Sequence, residues 1–108
     1  GFYPDFIVWI MKGKIQYVTF VDPKGITHLN GLDDDKVQLF HKLKVDIGPQ
    51  IKDPNIILDS YILSETPYQQ VSFWAQKYGK SDFRKNHVLF MDDSDYIEKM
   101  LKSILGIK

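Results

Sequence analysis

The chain has 108 residues, with 14 Lys+Arg against 14 Asp+Glu, no cysteine, and 44% hydrophobic residues. This length and apolar content support one domain, residues 1–108, built on one core, and leave little room for a second. Zero net charge excludes a protein that coats nucleic acid by bulk basicity, and equally an acidic disordered tail. The lack of cysteine excludes disulfide frameworks, thiolate zinc sites and cysteine nucleophiles, and fits a reducing cytoplasm. No apolar run approaches the ~20 residues of a membrane span, and no secretory leader is seen. The expectation is a soluble, cytoplasmic globular domain with no membrane partner.

Phe6-Ile7-Val8-Trp9-Ile10-Met11 is a continuous apolar run, and Ile15 to Val21 is a second one that stops at Asp22-Pro23. Joined through Lys12-Gly13-Lys14, the two predict a β-hairpin. Since nearly every position is apolar, the hairpin is expected to be central and covered on both faces. Gly25 to Asp33 has the composition of a loop. Asp33-Asp34-Asp35 is then expected to open a helix, because carboxylates favour its positive end. Val37, Phe40, Leu43 and Ile47 give that helix its apolar spacing, and Gly48-Pro49 ends it.

Asn55 to Leu63 predicts a third strand. Thr66-Pro67 predicts a helix start with threonine as N-cap, Val71, Trp74, Ala75 and Tyr78 forming its stripe and Gly79 its end. His87 to Met91 predicts a fourth strand. Asp95 to Leu105 closes the order β-β-α-β-α-β-α as an amphipathic helix carrying Ile97, Met100, Leu101, Ile104 and Leu105. The chain opens on a strand with nothing before it to cover one face, which suggests a C-terminal fragment of a larger protein, with Gly1 an expression scar.

An acid-x-Lys triplet is a weak signal, since chance supplies about two in a chain of this composition. Two occur, Asp22-Pro23-Lys24 and Asp34-Asp35-Lys36, and only the first ends an apolar strand. If Gly13-Lys14 form the turn, Asp5 lies directly opposite Asp22, ~4.5–5.5 Å apart at Cβ. Lys24, two residues beyond Asp22, then shares their face. A turn at Lys12-Gly13 makes Asp22 diagonal to Asp5 and keeps it on that face, whereas a three-residue loop separates the two aspartates. Two carboxylates held this close repel unless a cation lies between them or one takes a proton. Mg²⁺ suits such a cleft, because it takes a few carboxylate oxygens and completes its shell with water and phosphate oxygens. Asp, Asp and Lys around a metal make a site for phosphodiester hydrolysis.

Pro4-Asp5 followed by Asp22-Pro23-Lys24 resembles the PD-(D/E)xK nuclease superfamily. The longer wording, Tyr3-Pro4-Asp5-Phe6-Ile7 with Val18-Thr19-Phe20-Val21-Asp22-Pro23-Lys24-Gly25, resembles the nuclease end of type III restriction enzyme Res subunits and related DEAD/DEAH-box helicase proteins. The resemblance implies a restriction-endonuclease-like mixed α/β sheet flanked by helices and lacking its N-terminal helix. It implies Mg²⁺, with Mn²⁺ as an alternative, held by Asp5, Asp22 and the Pro23 carbonyl, and Lys24 as the catalytic lysine. Double-stranded DNA would be the substrate. A helicase motor in the same polypeptide and a methyltransferase (modification) subunit would be the partners. ATP would enter only through that motor, since the chain contains no G-x-x-x-x-G-K-[ST] loop.

Plainer readings stand beside these. His28, His41 and His87 lack metal-ligand spacing. His28 follows Lys24 closely enough to approach a phosphate, His41 reads as a helix-surface residue and His87 as a strand start. Gln38 is either near the cleft or solvated, with solvation the simpler reading. Lys77, Lys80, Arg84 and Lys85 form a loose basic stretch suited equally to phosphates and to solvent. Trp9, Tyr61, Phe73 and Trp74 read as sheet packing, and Asp92-Asp93-Ser94-Asp95 as helix initiation. The function expected is a Mg²⁺-dependent endonuclease domain of a restriction–modification helicase subunit. Its alternatives are a non-catalytic DNA-binding or subunit-docking module with the same fold, and a repair or recombination nuclease.

Overall fold

The computed structural model describes residues 5–24, 32, 34–71 and 78–107. Strand β1 (Phe6–Lys12) pairs antiparallel with β2 (Ile15–Lys24), which pairs parallel with β3 (Ile56–Ser64), and β3 pairs parallel with β4 (Val88–Phe90). The result is a small α/β domain with a four-stranded mixed sheet, in spatial order β1-β2-β3-β4, flanked by helices. The hairpin turns at Gly13-Lys14. Gly13 has φ +63° and Lys14 does not share its sign, the pattern of a II′ turn with glycine at its first central position. Of the three registers the sequence left open, this turn selects the one pairing Phe6 with Val21 and Lys12 with Ile15.

Two apolar layers sandwich the sheet. On one face Ile62, Val88 and Phe90 pack with Leu32, Val37, Val71 and Phe83. Strand alternation puts Asp22 and Lys24 on that same face. On the other, Val21, Tyr61, Leu63 and Leu89 meet Met100 and Ile104 of the closing helix, α3 (Tyr96–Leu105). That helix ends in a Schellman arrangement: Gly106 takes φ +69°, its N–H donates to the Ser103 carbonyl, and the Ile107 N–H donates to that of Lys102. Phe83, with no exposed surface, sits on α2 (Lys80–Lys85). Removing a ring buried so completely typically costs about 3–5 kcal/mol.

Several expectations are corrected. β1 is an edge strand, and Phe6, Ile7, Trp9 and Met11 are 57–68% exposed, so the hairpin is neither central nor covered on both faces and Trp9 does not pack. Only Val8 and Ile10 reach the core. No other described strand flanks β1, and the described helices contact the sheet chiefly at β3 and β4.

The Asp33–Asp35 helix does not start where acids would favour it. Residues 35–38 are turns, α1 spans Leu39–Lys42, and the chain then widens to a π-helix (Leu43–Ile47) and tightens to a 3₁₀ turn (Gly48–Gln50). Asp34 instead holds the Lys36 N–H through its carboxylate at 2.9 Å. Val37 and Leu43 are buried as the spacing implied, while Ile47 is 41% exposed.

Pro67 is extended (φ −58°, ψ 147°) and leads only into a 3₁₀ turn, Tyr68–Gln70, so Thr66 caps no α-helix there. Its amide instead bonds Ser64 Oγ at 3.1 Å. Phe73, Trp74, Ala75 and Lys77 lie outside the described residues. Gly79 begins a helix: its N–H donates to Asp82 Oδ2 at 2.9 Å, and Asp82 N–H donates back to its carbonyl at 3.0 Å. Whether it also ends the expected helix lies outside the described residues. No described helix is long and apolar enough to cross a membrane.

Tyr61, beneath α3, donates its O–H to Ser103 Oγ. Burial pushes its phenol up to about 12 from an ordinary 10. The folded state therefore holds this proton more tightly than the unfolded chain does. Its stabilising contribution is complete below pH 10 and is lost as pH rises from 10 toward 12. Urea unfolding across that window is expected to show a loss of up to about 2–3 kcal/mol that Tyr61→Phe abolishes; an unchanged pH dependence in Tyr61→Phe would place the titration elsewhere.

Candidate functional site

The hairpin register decides where the acids stand. Phe6 pairs with Val21, so the next residues outward, Asp5 and Asp22, adjoin at the open end of the β1–β2 ladder. Lys24 follows two positions on, and its Nζ lies 2.6 Å from Asp22 Oδ2, with both side chains about four-fifths shielded from solvent. Asp5 is exposed and makes no ion pair with any described residue. The trio thus carries one uncompensated negative charge at a strand end, where a cation is favoured.

The backbone holds these groups from the β3 side. The Lys24 carbonyl accepts the Glu65 N–H at 2.9 Å, and the Gln16 N–H donates to the Asn55 carbonyl at 2.7 Å, so even-numbered residues of β2 direct their polar groups to β3. Pro23 therefore directs its carbonyl away from β3, to the side on which Asp5 lies. It sits beyond the last β1 pairing, where its missing N–H leaves no ladder bond unmade. Two carboxylates and a carbonyl are hard oxygen donors of the kind Mg²⁺ takes. Among the described residues no group of three or more His, Asp or Glu side chains gathers, so the donor set stops at these two acids.

Other candidates go elsewhere. Gln38 is neither solvated nor at the cleft: its Nε2 donates to the Leu32 carbonyl at 2.6 Å and to Asn86 Oδ1 at 2.9 Å, tying the turn before α1 to the end of α2. His41 is exposed, as its helix-surface reading implied, and His28 lies outside the described residues. Asp93 pairs with Lys80 at 2.9 Å, and Asp95 precedes α3 without a side-chain cap, so the acidic run does not initiate the helix through its carboxylates.

His87 is more than a strand start. It follows α2 in the left-handed region, φ +62°, a position that glycine or asparagine occupies with less strain. Its ring is sandwiched between Phe40 at 3.8 Å and Tyr61 at 4.3 Å between centroids. Nδ1 lies 2.9 Å from Asp59 Oδ1 and 3.0 Å from the Ser60 carbonyl, both acceptors, so Nδ1 carries the proton. Asp59 is buried and also accepts the Ser60 N–H at 2.8 Å. Thr19, paired with Asp59 across the β2–β3 ladder, is fully buried, and its Oγ1 has no hydrogen-bond partner. Asp59 and His87 are 28 positions apart, and only the parallel β3–β4 pairing brings them together, so no local motif announces them. Asp59→Ala strands the Ser60 N–H and leaves His87 Nδ1 only the Ser60 carbonyl, and is expected to lower the unfolding free energy by about 1–3 kcal/mol in urea melts. A loss below about 0.5 kcal/mol would show that the pair contributes nothing. No protein-family model, no curated protein and no solved structure matches this chain.

Proposed function

We propose that the chain is a Mg²⁺-dependent endonuclease domain with a restriction-endonuclease-like sheet, hydrolysing DNA phosphodiester bonds as part of a restriction–modification helicase/nuclease. The observation that carries this reading is the juxtaposition of Asp5, Asp22 and Lys24 at one strand end, set by the Phe6–Val21 register and the Asp22–Lys24 ion pair. Asp5, Asp22 and the Pro23 carbonyl would hold the metal. When bound, Mg²⁺ supplies charge neutralisation and polarisation of a phosphoryl oxygen. Lys24 is anchored by Asp22 on one side and by its own backbone bond to Glu65 on the other. From there its ammonium donates to a non-bridging phosphate oxygen or holds the attacking water. The water oxygen forms the new bond to phosphorus, the bond to the sugar oxygen breaks opposite to it, the water proton leaves to solvent, and the departing sugar oxygen takes a proton from a solvent water. Helicase motor, ATP use and modification subunit belong to this proposal as features of the larger assembly.

A second reading, a DNA-binding or subunit-docking module without chemistry, is favoured by the apolar side chains that β1 presents to solvent. Lys24→Ala in the intact protein separates the two. Under the nuclease reading, Mg²⁺-dependent cleavage of duplex DNA falls by at least ~100-fold while ATPase activity persists; unchanged cleavage would move the chemistry away from this site. Metal binding supplies an independent check. Titration with Mn²⁺, followed by electron paramagnetic resonance, is expected to show a bound ion whose affinity falls at least ~10-fold in Asp22→Asn. Equal affinity in the parent and variant would remove Asp22 from the ligand set.

A further inference from the structure

The neutral chain separates its charges in space. Arg84 and Lys85 on the last turn of α2, Lys99 and Lys102 on α3, together with Ser103 and Ile107, line a groove of about 500 Å³. Four cations and no carboxylate stand among these described lining residues, in a chain whose acids and bases cancel. Arg84 and Lys85 make no ion pair with any described residue. Lys99 and Lys102 reach back one turn to Asp95 at 3.3 Å and Glu98 at 3.1 Å, in solvent-exposed pairs of the kind that a stronger anion displaces. Basic residues near helix ends have a local reason, the negative end of the dipole. That reason gives no account of two helices turning their cations onto one concavity.

Ser103 adds a neutral donor. Its Oγ accepts the Tyr61 O–H, and Tyr61, like any phenol, keeps its proton throughout the neutral range. The Ser103 hydroxyl hydrogen is therefore free to turn outward to an anion's oxygen.

We infer that this groove binds the phosphodiester backbone of a nucleic acid. The cations come from two helices that pack on opposite faces of the sheet, so they are spread along an open groove of a length that a run of successive phosphates follows. The groove is distinct from the strand-end carboxylates, with which it shares no lining residue. The inference holds whether or not Asp5, Asp22 and Lys24 perform hydrolysis.

Fluorescence anisotropy of a labelled 20-base-pair duplex, titrated with the chain in EDTA, tests it without any metal. With four phosphate contacts, affinity is expected to fall about 150-fold between 50 and 200 mM KCl. Arg84→Gln/Lys85→Gln keeps two contacts, so its fall is expected to be about 12-fold, and Lys99→Gln/Lys102→Gln on α3 is expected to match it. Lys42→Gln/Lys52→Gln removes the same charge from exposed positions elsewhere and should keep the parental salt dependence. Circular dichroism verifies that each variant is folded. Absence of duplex binding by the parent, or parental salt dependence in both groove variants, overturns the inference. Binding of phosphatidylserine vesicles without binding of DNA assigns the groove to a lipid surface instead. Displacement of the duplex by equimolar inorganic tripolyphosphate assigns it to small polyphosphates.

Discussion

The pairing of β2 on both of its edges is the constraint on which the rest of the molecule depends. Its antiparallel ladder with β1 fixes which residues of the hairpin meet, and its parallel ladder with β3 fixes which face each of them shares with the core. A slip of one residue in either ladder would exchange the faces of every side chain on the slipped strand. Gly13 is central to this control, because it supplies the positive φ that the first central position of this two-residue turn requires. From that turn outward, Lys12 meets Ile15, Phe6 meets Val21, and the acids arrive side by side at the far end.

Polar groups at the end of β2 and groups buried beneath the helices solve different electrostatic problems. At the strand end Asp22 is partly screened and neutralised by Lys24, while Asp5 stands exposed with no ion pair among the described residues. A site left incompletely satisfied in this way is what the proposed metal would require. Asp59 and His87 are the reverse case. Their hydrogen bonds are met within the fold, the imidazole is held between two rings, and the strained backbone of His87 is kept in place by those contacts. The unsatisfied hydroxyl of Thr19 beside Asp59 marks the one described buried side-chain atom in which that satisfaction is incomplete.

Local pattern and final packing agree in β3, β4 and the closing helix, so the apolar runs mark β3 and β4 to within a residue at each end and place the helix start one residue before Tyr96. Where two local signals competed, tertiary context chose. The acids at residues 33–35 and the apolar spacing from Val37 both spoke for a long regular helix, yet only one α-helical turn forms before the backbone widens. Thr66-Pro67 carries a helix-start signature, but Ser64 Oγ takes the Thr66 amide and Pro67 stays extended. At Gly79 the Asp82 carboxylate three residues later opens a helix that the sequence pattern does not announce.

Sequence alone determined the two apolar strands, the glycine between them and the acidic and basic residues at their ends, because alternation and turn chemistry act over a few neighbouring positions. It left the register among three choices, and with it the question of whether Asp5 and Asp22 share a face. The tertiary structure decided that register, laid β1 at the edge with its apolar side chains in solvent, and joined Asp59 to His87. It also gathered Arg84, Lys85, Lys99 and Lys102 around one groove within a chain of zero net charge. The physical reason is common to all four. Each depends on residues distant along the chain, whose proximity is set by strand pairing and helix packing rather than by any local preference.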